Sequence, residues 1–311
     1  MIKYLKYQHI DKEKWDKCIS QSFNGVIYAY SWFLDVVCEE WEALVEGDYE
    51  RVFPINFKKK AGMNIIFQPF FTQQLGVISK SVLSPEVVNN FLDAIPKEYK
   101  VIDLNLNIHN KPDMAGFEYI PQVNHELDLI GDYDELRKKY NSNTRRNLVK
   151  AESEGLSVVK GIKPDEVIQL FRDNRGKDIK VLQEGNYLKL KRLIYTCIYK
   201  GIGSVYGVYS EENLLCAGAV FLHTHKKAVF IFSGLSQLGR DKRAMFLLID
   251  HFIRENANKH LTLDFDGSNN EALSRFYKGF GSTRIDFIRI SRNSLSAPMK
   301  ILFKFYRRMR S

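Results

Sequence analysis

LTLDFDGSNNEALSRFYKGFG, residues 261–281, joins a strand pattern to a helix pattern across a short polar turn. Leu261, Leu263 and Phe265 alternate with Thr262, Asp264 and Asp266. A period of two predicts a strand with both carboxylates on one face. The turn Gly267-Ser268-Asn269 follows, and then Ala272, Phe276 and Phe280 recur at the spacing of an amphipathic helix. Gly281 ends that helix, because glycine accepts the left-handed backbone of a helix terminus. Asp264 and Asp266 stand where strand gives way to turn. One of them can act as a general base for a substrate amine. Equally, one can accept N–H bonds from the turn that follows, as Asp often does ahead of a helix.

Composition bounds what such a unit belongs to. The chain has 311 residues, 45% of them hydrophobic and 13% aromatic, enough for two packed domains. No apolar run approaches the length of a membrane span, and residues 228–232 have the length of a strand. The polar start, MIKYLKYQHIDKEKW, does not read as a signal peptide. Cys18, Cys38, Cys197 and Cys216 lack metal-ligand spacing and read as reduced packing residues, so a cytoplasmic protein is expected. His223 and His225 read as a solvated pair in a turn. No zinc spacing, P-loop or nucleophile elbow appears, and no metal is expected. The net charge of +9 favours an acidic partner: nucleic acid, a nucleotide-like cofactor or an anionic membrane surface.

Outward from residues 261–281, the second half reads as helices over 163–175 and 187–200, a hairpin SVYGVY…LLCAGAVFL, the strand AVFIFSGLS and a helix over 244–257. The first half opens with an aromatic-rich segment, 12–41, expected to be helical. A hairpin RVFPINF…NIIFQPF, a helix over 85–95 and the strand YKVIDLNL follow. Between the halves, YNSNTRRNLVKAESEG predicts a helix capped by Asn143 or Thr144 and closed by Gly155. The domain boundary is therefore expected at Gly155, giving domains 1–154 and 155–311.

The loop 236–244 leaves a buried strand and opens an amphipathic helix. Backbone N–H groups and the helix dipole attract phosphate at such a place, and Arg240, Lys242 and Arg243 add positive charge.

Residues 261–281 resemble the D-F-x-G-S…F-K-x-x-F-G segment of Fem-type aminoacyltransferases, and also the N…Y-x-x-x-G ending of GNAT acyltransferases. Residues 146–155 are similar to the R-x-x-x-K-A-x-x-x-G segment that starts the second GNAT-like domain of Fem-type proteins. Q-P-F-F-T-Q-Q-L-G, residues 68–76, is similar to a further segment of that family. The resemblance implies an α/β fold of tandem GNAT-like domains, each a mixed, mostly antiparallel sheet flanked by helices. It implies transfer of an acyl group from acyl-CoA, or of an aminoacyl group from aminoacyl-tRNA, to an amine acceptor such as a small molecule or a cell-wall precursor. GNAT enzymes hold the coenzyme A pyrophosphate on Q/R-x-x-G-x-G/A. This chain keeps Gln237 and Gly239 and has Arg240, Lys242 and Arg243 in place of further glycines.

By the same resemblance Tyr277, four residues before Gly281, corresponds to the GNAT tyrosine that protonates a leaving thiolate. The Fem-type lysine is shifted by one, to Lys278. Asp266 would orient or deprotonate the amine. Because the tRNA-binding arm of some Fem-type enzymes is absent and tyrosine replaces the lysine, this reading leans to acyl-CoA as donor. The rival reading is a non-catalytic module of the same fold that binds a polyanionic or lipid-linked ligand. The tail APMKILFKFYRRMRS, residues 297–311, can form a basic helix with Met299, Leu302, Phe303 and Tyr306 on one side. Three destinations stay open for it: an anionic bilayer, RNA phosphate or, as the favoured one, the first domain.

Overall fold

In the computed structural model residues 1–300 are described, apart from Glu39, Ala61 and Ser268. Most of the basic tail, with Leu302, Phe303 and Tyr306, lies outside the described residues.

The chain divides into two compact units, Met1–Gln122 with Asp286–Ser311, and Val123–Ile285. The first unit holds β1 (Ile2–Leu5), α1 (Lys12–Gln21), α2 (Ser31–Val37), β2 (Trp41–Glu46), β3 (Arg51–Lys60), β4 (Met63–Phe67), β5 (Ile78–Ser79), α3 (Pro85–Asp93) and β6 (Tyr99–Leu106). The aromatic-rich start is not one helix. α1 ends ahead of Asn24-Gly25, a turn-forming pair, and Trp41 already belongs to β2. β1, β2, β3 and β4 pair antiparallel in succession, and β4 runs parallel to β6. Met299, the described member of the tail's expected apolar side, packs against Met63, Ile65, Val101 and Leu295 of this unit.

The second unit carries the end of β7 (Glu118–Asp128), α4 (Tyr133–Lys138), α5 (Ser142–Glu152), β8 (Ser157–Lys160), α6 (Pro164–Asp173), α7 (Glu184–Tyr199), β9 (Gly203–Tyr209), β10 (Leu215–Thr224) and β11 (Lys227–Leu235). It continues through α8 (Gln237–Asp241), α9 (Ala244–Asn256), β12 (Thr262–Asp264), α10 (Glu271–Gly279) and the start of β13 (Thr283–Asn293), whose later residues pair with β6 in the first unit. The strand order is β7-β12-β11-β10-β9-β8, with only β11 and β12 parallel. This is the expected mixed, mostly antiparallel sheet flanked by helices.

The boundary differs from the one read at Gly155. Leu127, Leu129, Leu136, Tyr140 and Leu148 fill the same core as Leu248, Phe252 and Phe280, which draws residues 123–154 into the second unit. The cap of α5 is Asn141, whose side chain accepts from Thr144 N at 2.8 Å. Helix α6 lies on one face of β10 and β11, where Cβ atoms on Gly218 and Gly234 would crowd Val167 at 2.7 and 2.8 Å. Helix α9 covers the opposite face, where Phe252 stacks on Phe221 at 3.8 Å.

Candidate functional site

Strand β12 is shorter than its alternation suggests, and that changes the role of its carboxylates. It ends at Asp264; Phe265 N still reaches His125 O at 3.0 Å, but Asp266 is left-handed at φ 57° and Gly267 at φ 87°. The two carboxylates therefore do not share a strand face. Asp264 is buried and accepts from Asn124 Nδ2 and from Asp266 N, both at 2.9 Å. Its other oxygen lies 3.5 Å from Lys227 Nζ, and Lys227 also pairs with Glu126. Burial alone would lower the Lys227 pKa, but Asp264 and Glu126 outweigh it and raise the value. Burial, then the charge of Asp264, pushes Glu126 up. Asp264 is thus the anchor of a buried charge network that fixes the end of β12. Asp266, only half-buried, stands on the turn beyond it.

Helix α10 opens on Asn270, whose side chain accepts from Ala272 N and Leu273 N, and its buried side carries Tyr277. Ala272, expected on the apolar face, is exposed instead. Tyr277 stacks on Phe265 with ring centroids 4.5 Å apart. Burial, then the negative charge of Asp266, raises its pKa. The phenol therefore keeps its proton throughout the neutral range. Lys278 is exposed, one residue beyond.

The structure adds a residue that sequence reading overlooked. His125 is buried beside Tyr277, with ring centroids 6.1 Å apart, and its Nε2 lies 2.9 Å from Ser274 Oγ on α10. Burial, assisted by Lys278 and Arg284, lowers its pKa, so the imidazole is neutral. Nothing in the sequence around His125 marks it; only the β7–β12 pairing, Leu127 opposite Leu263, carries it to the site.

At the other end of β11 the loop is a helical turn. Ser236 caps α8, accepting from Gly239 N at 2.9 Å, so that N–H is already satisfied. A Cβ on Gly239 would come within 2.0 Å of Cys216 O, so glycine is required here for close packing on β10. Lys242 donates to Glu154 O at 3.0 Å and lies 3.3 Å from the Glu154 carboxylate. Arg240 donates to Gln237 Oε1 at 3.1 Å, and Arg243 Nη1 to Arg240 O at 2.7 Å. Arg243 Nε is buried without a hydrogen-bond partner among the described residues. The expected cofactor-binding set is thus brought together on one loop, but Lys242 is engaged by a carboxylate. Among the described residues no group of three or more His, Cys, Asp or Glu side chains is arranged to hold a metal ion.

No family model and no curated protein matches the chain. Solved structures do. FemX aligns over 96% of this chain and 99% of its own at 15% identity, with a TM-score of 0.64. The C-terminal domain of a putative lysylphosphatidylglycerol synthetase from Agrobacterium fabrum aligns over 93% of both chains at 12% identity, TM-score 0.56. L-PGS from Bacillus licheniformis aligns over 94% of this chain and 95% of its own at 13% identity, TM-score 0.50. At these identities the likeness is one of fold, and the chain has the Fem-type, GNAT-like α/β architecture to which residues 261–281 pointed.

Proposed function

We propose that the chain transfers an aminoacyl or other acyl group to an amine at the junction of β12 and α10. The observation that carries this reading is Tyr277, a buried phenol held protonated beside the left-handed Asp266. In the proposed step the amine nitrogen attacks the donor carbonyl carbon, a C–N bond forms and the carbonyl's bond to the carrier breaks. Asp266 receives the amine proton, and the departing oxygen or sulfur of the carrier takes up a proton, leaving an amide and a neutral hydroxyl or thiol. Tyr277 donates a hydrogen bond to the oxygen on which charge develops, and Lys278 adds positive potential. Positioning and preorganised polarity supply the rate in such a mechanism. His125 and Ser274 are positioning residues that hold α10 against the end of β12.

Between the two donor classes, the loop favours an aminoacyl ester carried by tRNA over acyl-CoA. A pyrophosphate needs free backbone N–H groups and free cations, whereas Gly239 N and Lys242 already have partners inside the protein. Arg240 and Arg243 would meet a donor phosphate. The Fem-type fold supports the same donor and an acceptor among amine-bearing cell-envelope precursors, on the cytoplasmic side. Calorimetric titration with charged tRNA, uncharged tRNA and acetyl-CoA tests this. Charged tRNA should bind, acetyl-CoA should not, and Arg243→Ala should weaken the binding. Acetyl-CoA binding that is lost in Arg243→Ala would transfer the reading to a thioester donor. Binding of neither donor would leave a non-catalytic module of the same fold.

A further inference from the structure

Helix α7 has an outer face that the transfer reading does not use. Its inner side, Tyr187, Leu190, Leu193, Ile194 and Cys197, is buried in the second unit. At 3.6 residues per turn, Leu188, Arg192, Tyr195 and Tyr199 line up along the opposite side. Leu188 is 60% exposed and Tyr199 93% exposed. An amphipathic helix ordinarily turns charge to its solvent pole; here leucine and tyrosine occupy it. Arg192 stands in the stripe, and Lys189 and Lys191 lie to either side of it along the helix, Lys191 paired with Asp165. Residues 177–200 hold six Lys and Arg (177, 180, 189, 191, 192, 200) against two acids, Asp178 and Glu184. The Tyr195 hydroxyl donates to Asp165 at 2.6 Å, which fixes that ring in the stripe.

We infer that the outer face of α7 docks on an anionic lipid surface. Apolar and amphipathic side chains flanked by Lys and Arg match the boundary between headgroups and acyl chains, where leucine and tyrosine insert and cations meet lipid phosphate. RNA phosphate would satisfy the cations but offers nothing to Leu188. A second copy of this chain would set the same six cations against each other, which like-charge repulsion opposes. The cleft between α6 and α7, about 460 Å³, opens beside Leu188, but its Arg172 and Lys191 are paired with Glu184 and Asp165. Attraction is therefore to surface charge and not to one headgroup.

Sedimentation of the full chain with vesicles tests this, using phosphatidylcholine alone or with about one-third phosphatidylglycerol. The protein should pellet with the anionic vesicles only, and the binding should fall when salt rises from about 0.1 to about 1 M as the screening length shortens. Leu188→Ser with Tyr199→Ser should weaken it about ten-fold or more, as should Arg192→Glu, at unchanged melting temperature. Replacing phosphatidylglycerol by phosphatidylserine should change little. Variants that bind like the parent, with residues 301–311 intact, would overturn the inference. So would a parent that ignores anionic vesicles, or a stripe whose loss abolishes self-association in light scattering or tRNA retention while vesicle binding persists.

Discussion

Tyr277 lies over Phe265 with the two rings 22° from parallel, so the helix that follows the turn is clamped to the strand that precedes it. Phe265 is 1% exposed and belongs to the central core of the second unit. Phe265→Ala should cost about 3–5 kcal/mol by opening a cavity beneath Tyr277. Tyr277→Phe keeps the ring and loses a hydroxyl with no hydrogen bond among the described residues, so it should cost less than about 1 kcal/mol. Urea unfolding of both variants checks this contrast, and equal losses would contradict it.

Gly239 separates a packing role from a phosphate role. An added methyl group would collide with the Cys216 carbonyl, a backbone atom that cannot move aside cheaply. Gly239→Ala should therefore destabilise the chain by at least about 1–3 kcal/mol with no donor present, while exposed Arg240→Ala should not. If Gly239→Ala melts like the parent protein and only donor binding changes, the glycine serves the ligand instead.

Lys227 neutralises two carboxylates at the end of β12. Replacing it by Met leaves Glu126 and Asp264 facing each other, and the cost at neutral pH should be about 1–3 kcal/mol. That is less than for a fully buried pair, because 34% of the lysine side chain remains exposed. The deficit should shrink as pH falls, since Glu126, its pKa already raised, then takes up a proton. A deficit unchanged between neutral and acid pH would mean that lost packing, not charge, is responsible.

Two histidines should make folding pH-dependent. Burial and nearby cations hold His125 and His223 below their ordinary value; His223 is not solvated in a turn as expected but half-buried near the end of β10. Unfolded histidines take up protons near about pH 6.5, the folded ones only at lower pH. Their contribution is therefore complete above about pH 6.5 and is lost as pH falls through the folded values. The melting temperature should drop between neutral pH and pH about 5, and less steeply in a His125→Gln, His223→Gln double variant. Parallel slopes would assign the acid sensitivity to other groups.

What the sequence disclosed followed from local periodicity. β6 falls on YKVIDLNL, α9 runs over 244–256 against the expected 244–257, and α10 ends ahead of a left-handed Gly281 as expected. What it withheld depends on partners distant along the chain. The Asp264 anchor requires Asn124 and Lys227, and the placement of His125 requires β7 to lie against β12. No window of residues contains such pairings. Lys242 adds its charge to the loop in sequence, but its partner Glu154 lies 88 residues earlier.

In the proposed mechanism Tyr277 serves transfer from an aminoacyl ester. Discharge of radiolabelled aminoacyl-tRNA, measured with an extract of amine-bearing envelope precursors, tests it most directly. The parent protein should move the label to an amine acceptor, and Tyr277→Phe, equally folded, should do so about 10²-fold or more slowly. Release of free thiol from acetyl-CoA should stay at background. Equal rates for parent and Tyr277→Phe, or thiol release in place of tRNA discharge, would contradict the account.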